Sequence, residues 1–345
     1  MHGDNHIWVP TLGIAPVGRM PSGEQYVSLA QKLCIIRPDL LVAWSGPREI
    51  ARNTLWRLKQ HPWSDTMTHE EPADVLKTLE YDDLGQLQLL WATIDAEKRW
   101  RVGGLNVGLE IHSQMFGKIL ASGSGSAMSE LRREIEAIES SQGGAPETPE
   151  RPGDHLALVL GVIGRFLAAE LFSRRLSDSW FGGFFEVAFV RTGQFAKLDD
   201  VTYMFWAYDV ATDYLRIIPP VLIVDYVDEA IWLTRLDFTP QEQFSPFGRP
   251  LRGVTPQWVI PPAYADSVTS ASVMPPTYPL NSRHFVHAIA IRSPQGDRFA
   301  TWSTINQEPD RVRIERSETN FRMTISGRLA EELRMACNGP GDVTV

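Results

Sequence analysis

Lys32 stands directly before the apolar run Leu33-Cys34-Ile35-Ile36. A lysine there either snorkels its ammonium to water or, held among apolar groups, loses proton affinity and becomes a base; the first reading is the commoner one. Gly123-Ser124-Gly125-Ser126 lies between a strand-like and a helix-like run, where small residues and free N–H groups let a ligand approach the backbone. Tight packing explains that glycine run equally well. His284 and His287 are three apart in a strand-like run, so alternation sends them to opposite faces and they do not form a metal pair. His61 and His69 flank a Pro/Trp loop and read as surface residues. Ser22 and Ser45 lack a nucleophile-elbow context and a local histidine, so no serine triad is supported.

The elements that must position these residues follow from periodicity. Leu33–Ile36 and Leu40–Trp44 are β-prone runs split by Arg37-Pro38-Asp39. Ser45 and Pro47 open a helix in which Ile50, Ala51, Thr54, Leu55 and Leu58 share a face, and the helix stops before Pro62. A second helix is expected over Glu71–Glu80. Strands are expected at Gln86–Asp95, Trp100–Val107 and Lys118–Ser122, with helices at 128–138 and 154–175 on either side of a Gly/Pro/Glu loop at 140–153. Further strands are expected at Phe184–Arg191, Val201–Tyr208, Leu215–Ile218, Val221–Val227 and Ala230–Leu236. A Pro-rich connector then spans 238–283. Short strands at His284–Arg292, Arg298–Ile305, Arg311–Arg316 and Asn320–Ser326, a helix at Gly327–Ala336 and a tail at 337–345 complete the chain. The division expected is one domain over 1–237, the connector, a small β-rich extension over 284–336, and the tail.

Composition bounds the function. Of 345 residues 43% are hydrophobic, which excludes a largely disordered chain. Lys and Arg number 33 against 42 Asp and Glu, a net charge of −9, so neither nucleic acid nor an anionic membrane is an expected partner. Two cysteines, Cys34 and Cys337, make neither a disulfide framework nor a thiolate metal site, and no cofactor is implied. No targeting segment is visible at the start, and a cytoplasmic location is the expectation.

Taken in order, Gln31-Lys32-Leu33, the strand pair, Ser45-Gly46 and the helix resemble the corresponding stretch of proteasome-type N-terminal nucleophile (Ntn) hydrolases. Gly123-Ser124-Gly125-Ser126 is similar to that family's glycine-serine turn, Asp178 with Gly182-Gly183 to a later motif, and Met1-His2-Gly3-Asp4 to the end of its early strand. The resemblance covers roughly residues 1–210 and implies an α+β fold, a four-layer αββα sandwich, and amide- or peptide-bond hydrolysis. Carried over, Lys32 matches the active-site lysine, Asp4 the carboxylate that keeps it charged, Ser124 and Asp178 the groups orienting the amino terminus, and Gly46 the glycine whose N–H helps form the oxyanion hole. The resemblance also implies a peptide or amide substrate and a homo-oligomer.

The departures are specific. The matched region begins at the end of that family's second strand, Met1-His2 supplies no Thr, Ser or Cys nucleophile, and the spacing from Asp4 to Lys32 is longer than the family's. Phe181 stands where a second helper serine is expected. The expectation is a chain not competent for hydrolysis as written, with either a start further upstream or a non-catalytic structural or binding role. The rival reading sets the resemblance aside and assigns Trp258, Tyr264 and Tyr278, with the 284–326 strands, to an α+β partner-binding protein.

Overall fold

The computed structural model describes residues 6–7, 31–79, 84–113, 117–122, 132, 136, 159–161, 163–164, 184–227, 229–239, 250–254, 257–260, 262–265, 284–294, 296, 298–305, 311–316 and 320–338. The first strand, β1 (His6–Ile7), pairs with β8 (Phe184–Phe185). An antiparallel meander follows, β2 (Leu33–Arg37), β3 (Leu40–Ser45), β4 (Gln88–Ile94) and β5 (Trp100–Leu105), with β2 on one edge. Alternation gives this sheet two apolar faces. Cys34, Ile36, Val42 and Trp44 meet helices α1 (Arg48–Gln60) and α2 (Glu71–Thr78), while Leu33, Leu41, Ala43 and Ala92 meet Ala188 and Phe195.

Helix α1 buries Ala51, Thr54, Leu55 and Leu58 on the face its periodicity predicts and ends at Gln60, ahead of Pro62. Burial of each leucine is worth roughly 1.5–3 kcal/mol. Its start differs from expectation: Ser45 is the last residue of β3, and Pro47 occupies the cap position with extended backbone and no side-chain cap. Ladder pairing of Ser45 with Gln88 holds it in the sheet. Next comes a hairpin of β6 (Leu109–Ser113), unmarked by the periodicity, with β7 (Gly117–Ala121), the strand expected at Lys118–Ser122.

The chain then makes the hairpin β9 (Ala188–Arg191) and β10 (Gln194–Lys197), whose loop residues Thr192 and Gly193 both have positive φ (50° and 76°), as a two-residue primed turn requires. The large sheet uses β11 (Val201–Asp209), β12 (Tyr214–Val227), β13 (Ala230–Phe238), β14 (Leu251–Val254), β15 (Gln257–Ile260), β16 (His284–Arg292), β17 (Arg298–Ile305), β18 (Val312–Arg316) and β19 (Asn320–Ile325). Its order is β17-β16-β11-β12-β13-β14-β19-β18, with β15 added beside β13. The two runs expected around Pro219-Pro220 form the single strand β12, because a register shift at Tyr203/Phe205 of β11 takes up the prolines, which have no ladder donor. Strand β16 runs parallel to β11, so strands on both sides of the 238–283 segment share one sheet.

Both faces of this sheet are buried. Tyr203 and Phe205 face a core with Leu160, Ile163, Val187 and Leu198, whereas Met204, Trp206 and Tyr208 face a core closed by Leu329, Leu333 and Cys337 of α3 (Gly327–Asn338). The result is a mixed α+β protein, mostly strands, containing an eight-strand sheet curled into a half-barrel. An αββα sandwich is not evident among the described residues. Of the expected helices at 128–138 and 154–175, the described residues (132, 136, 159–161, 163 and 164) are helical and the rest lie outside the description.

Candidate functional site

Two arrangements of chemical groups flank β2. The first is the end of the β2–β3 hairpin. Trp44 N–H donates to Lys32 C=O at 3.1 Å, so the ladder sets Lys32 opposite Trp44, and Gly46 follows two residues later. The Lys32 ammonium lies 5.5 Å from the centroid of the Trp44 ring. Lys32 is half-buried, and that burial lowers its pKa from the ordinary lysine value. Among the described residues no carboxylate pairs with this ammonium. Gly46 is exposed with φ +125°, and a Cβ there would come within 2.5 Å of the Gln86 carbonyl oxygen. Only glycine fits that turn without strain.

The second arrangement is a buried polar network along the edge of β2. Glu186, 3% exposed, accepts the N–H groups of Lys32 and Leu33 at Oε2 (3.0 and 3.1 Å). Its Oε1 accepts from the Lys197 ammonium at 2.7 Å and from Tyr226 OH at 3.2 Å. An edge strand otherwise presents unpaired N–H groups, and here a carboxylate closes them. Lys197 also donates to Gln31 Oε1, and the buried Gln31 donates to the carbonyls of Glu229 and Ile260 at 2.6 and 2.8 Å. Trp44 Nε1 donates to the Gln31 carbonyl at 2.9 Å. A buried ion pair is tolerated only when most of its remaining donors and acceptors are met, and here a single Lys197 N–H is left over among the described residues.

A cavity of about 220 Å³ opens beside this network, walled by Cys34, Ile35, Tyr226, Pro262 and Tyr264, with Lys197, Asp199 and Glu229 supplying charge. Lys59 and Tyr264 OH donate to the Glu229 carboxylate. Burial pushes the Glu229 pKa up, but those hydrogen bonds outweigh it and leave the group below the usual carboxylate value. The Tyr226 hydroxyl is raised well above its ordinary value, first by burial and then by Glu186. Burial likewise pushes the Cys34 thiol up to about 11, which keeps it protonated and unreactive at neutral pH.

Elsewhere, His287 is fully buried in the curled sheet, accepts a hydrogen bond from Trp206 Nε1 at Nδ1 (3.2 Å), and leaves Nε2 without a partner among the described residues. Burial, then Arg311, lowers its pKa to about 3. His284 is half-buried on the opposite face, as alternation requires.

Lys32 and Gly46 therefore share one end of one hairpin. Asp4, Ser124, Asp178 and Phe181 lie outside the described residues, as does Tyr278. Gln31 was quoted only as part of the Gln31-Lys32-Leu33 motif, with no role of its own, and Glu186, Lys197 and Glu229 are residues that local patterns did not single out. Their only sequence signals are a glutamate inside the apolar run Phe184–Phe189 and a lysine next to Leu198. Among the described residues no group of three or more His, Cys, Asp or Glu could hold a metal ion, and no helix is long and apolar enough to cross a membrane. No family model, no curated protein and no solved structure matches the chain.

Proposed function

We propose that the chain is a proteasome-like, Ntn-type relative whose β2–β3 hairpin end handles an amide group. The observation that carries this reading is the convergence of a desolvated lysine, Lys32, and an exposed glycine, Gly46, whose backbone conformation other residues take only with strain, on one hairpin end. An N–H at such a turn donates to a carbonyl or oxyanion, and a lysine of lowered proton affinity polarises or exchanges protons nearby. In the αββα frame implied by the resemblance, these two groups are the amine and carbonyl halves of an amide-bond hydrolase site. None of the described residues is an N-terminal Thr, Ser or Cys, so the reading is of amide binding, and turnover would draw on a nucleophile from outside them.

The test pairs a fluorogenic blocked peptide amide with an N-terminal-nucleophile-directed β-lactone, read by hydrolysis and by intact mass. Peptide binding that Lys32→Met weakens, with no covalent adduct, is the expected result. An adduct on Thr, Ser or Cys would replace binding by hydrolysis, and absence of peptide binding would remove the proposal.

A further inference from the structure

The cavity beside Glu186 and Lys197 lies along the free edge of β2 and uses neither the Lys32 side chain nor Gly46, so its chemistry can be read independently of the hairpin end. At about 220 Å³ it suits a compact organic molecule rather than a chain of residues. Its walls are two aromatic rings, a proline and an isoleucine, and its polar groups converge from three elements: Lys197 from β10, Glu229 from the β12–β13 turn, and Asp199 after β10.

The charges exclude both kinds of simple ion. A carboxylate ligand would face Glu229 and Asp199, and Asp199 has no cationic partner among the described residues. Asp225 beyond it is already held above the ordinary carboxylate value by burial and by Asp199, so another negative charge is unwelcome. An ammonium ligand meets the opposite obstacle. The two tyrosine faces that would attract it already carry the protein's own cations, with Lys197 4.8 Å from the Tyr226 ring centroid and Lys59 5.1 Å from that of Tyr264. A neutral group offering one acceptor and one donor meets neither difficulty. Lys197 spends two N–H groups on Glu186 and Gln31, and its third has no oxygen or nitrogen acceptor among the described residues. The Glu229 oxygens each accept one hydrogen bond, from Lys59 and Tyr264, and each keeps a further lone pair.

We propose that this cavity is a binding site for a small aromatic or apolar carboxamide, its carbonyl oxygen taking the third Lys197 N–H, its NH₂ donating to Glu229 or Asp199, and its body lying along the apolar wall of Ile35, Pro262 and Tyr264. The group could be free or carried on a glutamine side chain, since both present the same amide.

The experiment is an amide-resolved NMR titration of the whole chain with benzamide, benzoate and benzylamine, and with N-acetyl-glutamine methylamide for the peptide-borne source. Benzamide should shift the Cys34, Ile35 and Tyr264 signals saturably, with benzoate and benzylamine roughly tenfold weaker or worse. Whether the glutamine derivative matches benzamide identifies the source. Tyr264→Leu, at a half-buried position, should weaken benzamide roughly tenfold while leaving the fold intact. Lys197→Met should abolish binding if it folds, and Tyr264→Leu carries the test if it does not. Equal or tighter binding of either ion, no saturable shift with benzamide or the glutamine derivative, or unchanged affinity in Tyr264→Leu would each overturn the assignment. Because Lys32→Met leaves this site untouched, failure here is separable from failure of the hairpin-end reading.

Discussion

Glu186 Oε1 and Lys197 Nζ stand 2.7 Å apart, with side chains 0% and 10% exposed, and this pair ties the edge of β2 to β10. Removing one partner leaves the other charged and buried. Lys197→Met should therefore cost about 3–5 kcal/mol in urea unfolding. The double change Glu186→Leu/Lys197→Met should cost less than that single change, because only the Lys32 and Leu33 N–H groups and the Gln31 and Tyr226 side chains then lose a partner. A double variant less stable than Lys197→Met would show that the pair is not the unit described.

Gly46→Ala should destabilise by about 1–3 kcal/mol from its backbone conformation alone, with the approach to the Gln86 carbonyl adding to it. Gly85→Ala, a neighbour around which nothing lies within 4 Å, is the control and should stay within about 0.5 kcal/mol of the parent. Equal melting temperatures for the two variants would contradict a turn that only glycine takes without strain.

The β2–β3–α1 unit was legible because its signals are local: Pro38 splits two apolar runs, and the spacing of Ala51, Leu55 and Leu58 marks a helix face. β10 was readable in principle from Thr192-Gly193, but its strand is only four residues long and offers no sustained alternation. β14 and β15 hide in a Pro-rich segment for the same reason. The polar network had only faint local signals, the glutamate within Phe184–Phe189 and the lysine before Leu198, and nothing that joined them. Gln31 meets Glu229 across 198 positions and Lys32 meets Glu186 across 154, so only the folded chain assembles it. Lys32 and Gly46 were visible as residue types, whereas their shared end of the hairpin needed the register of β2 and β3.

His287 supplies a pH prediction. Its pKa is about 3 in the folded protein and about 6.5 in the unfolded chain. Between these values the unfolded state binds a proton that the folded state refuses, so stability rises with pH. The contribution is complete above about pH 6.5 and is lost as pH falls toward 3. Relative to His287→Gln, which can still accept from Trp206, the parent should lose about 1.4 kcal/mol per pH unit below about 6.5. Parallel stability curves for the two proteins would show that His287 is charged inside the fold.

Lys32 has the corresponding sign for a base. Its folded pKa is depressed, so its contribution is present above the unfolded value of about 10.4 and is lost as pH falls through the folded value. At neutral pH it is a liability tolerated in the fold, and Lys32→Met should raise the unfolding midpoint. A lower midpoint would mean that the ammonium is held by a partner that stabilises its charge.

In the proposed function Gly46 presents its N–H to an amide carbonyl beside Lys32. The direct measurement is the Gly46 amide signal in an NMR titration with a blocked tripeptide amide. The expected result is a saturable downfield shift of Gly46 that weakens in Lys32→Met, with Cys34, Ile35 and Tyr264 unmoved. A Gly46 signal that stays in place at saturating peptide would contradict it.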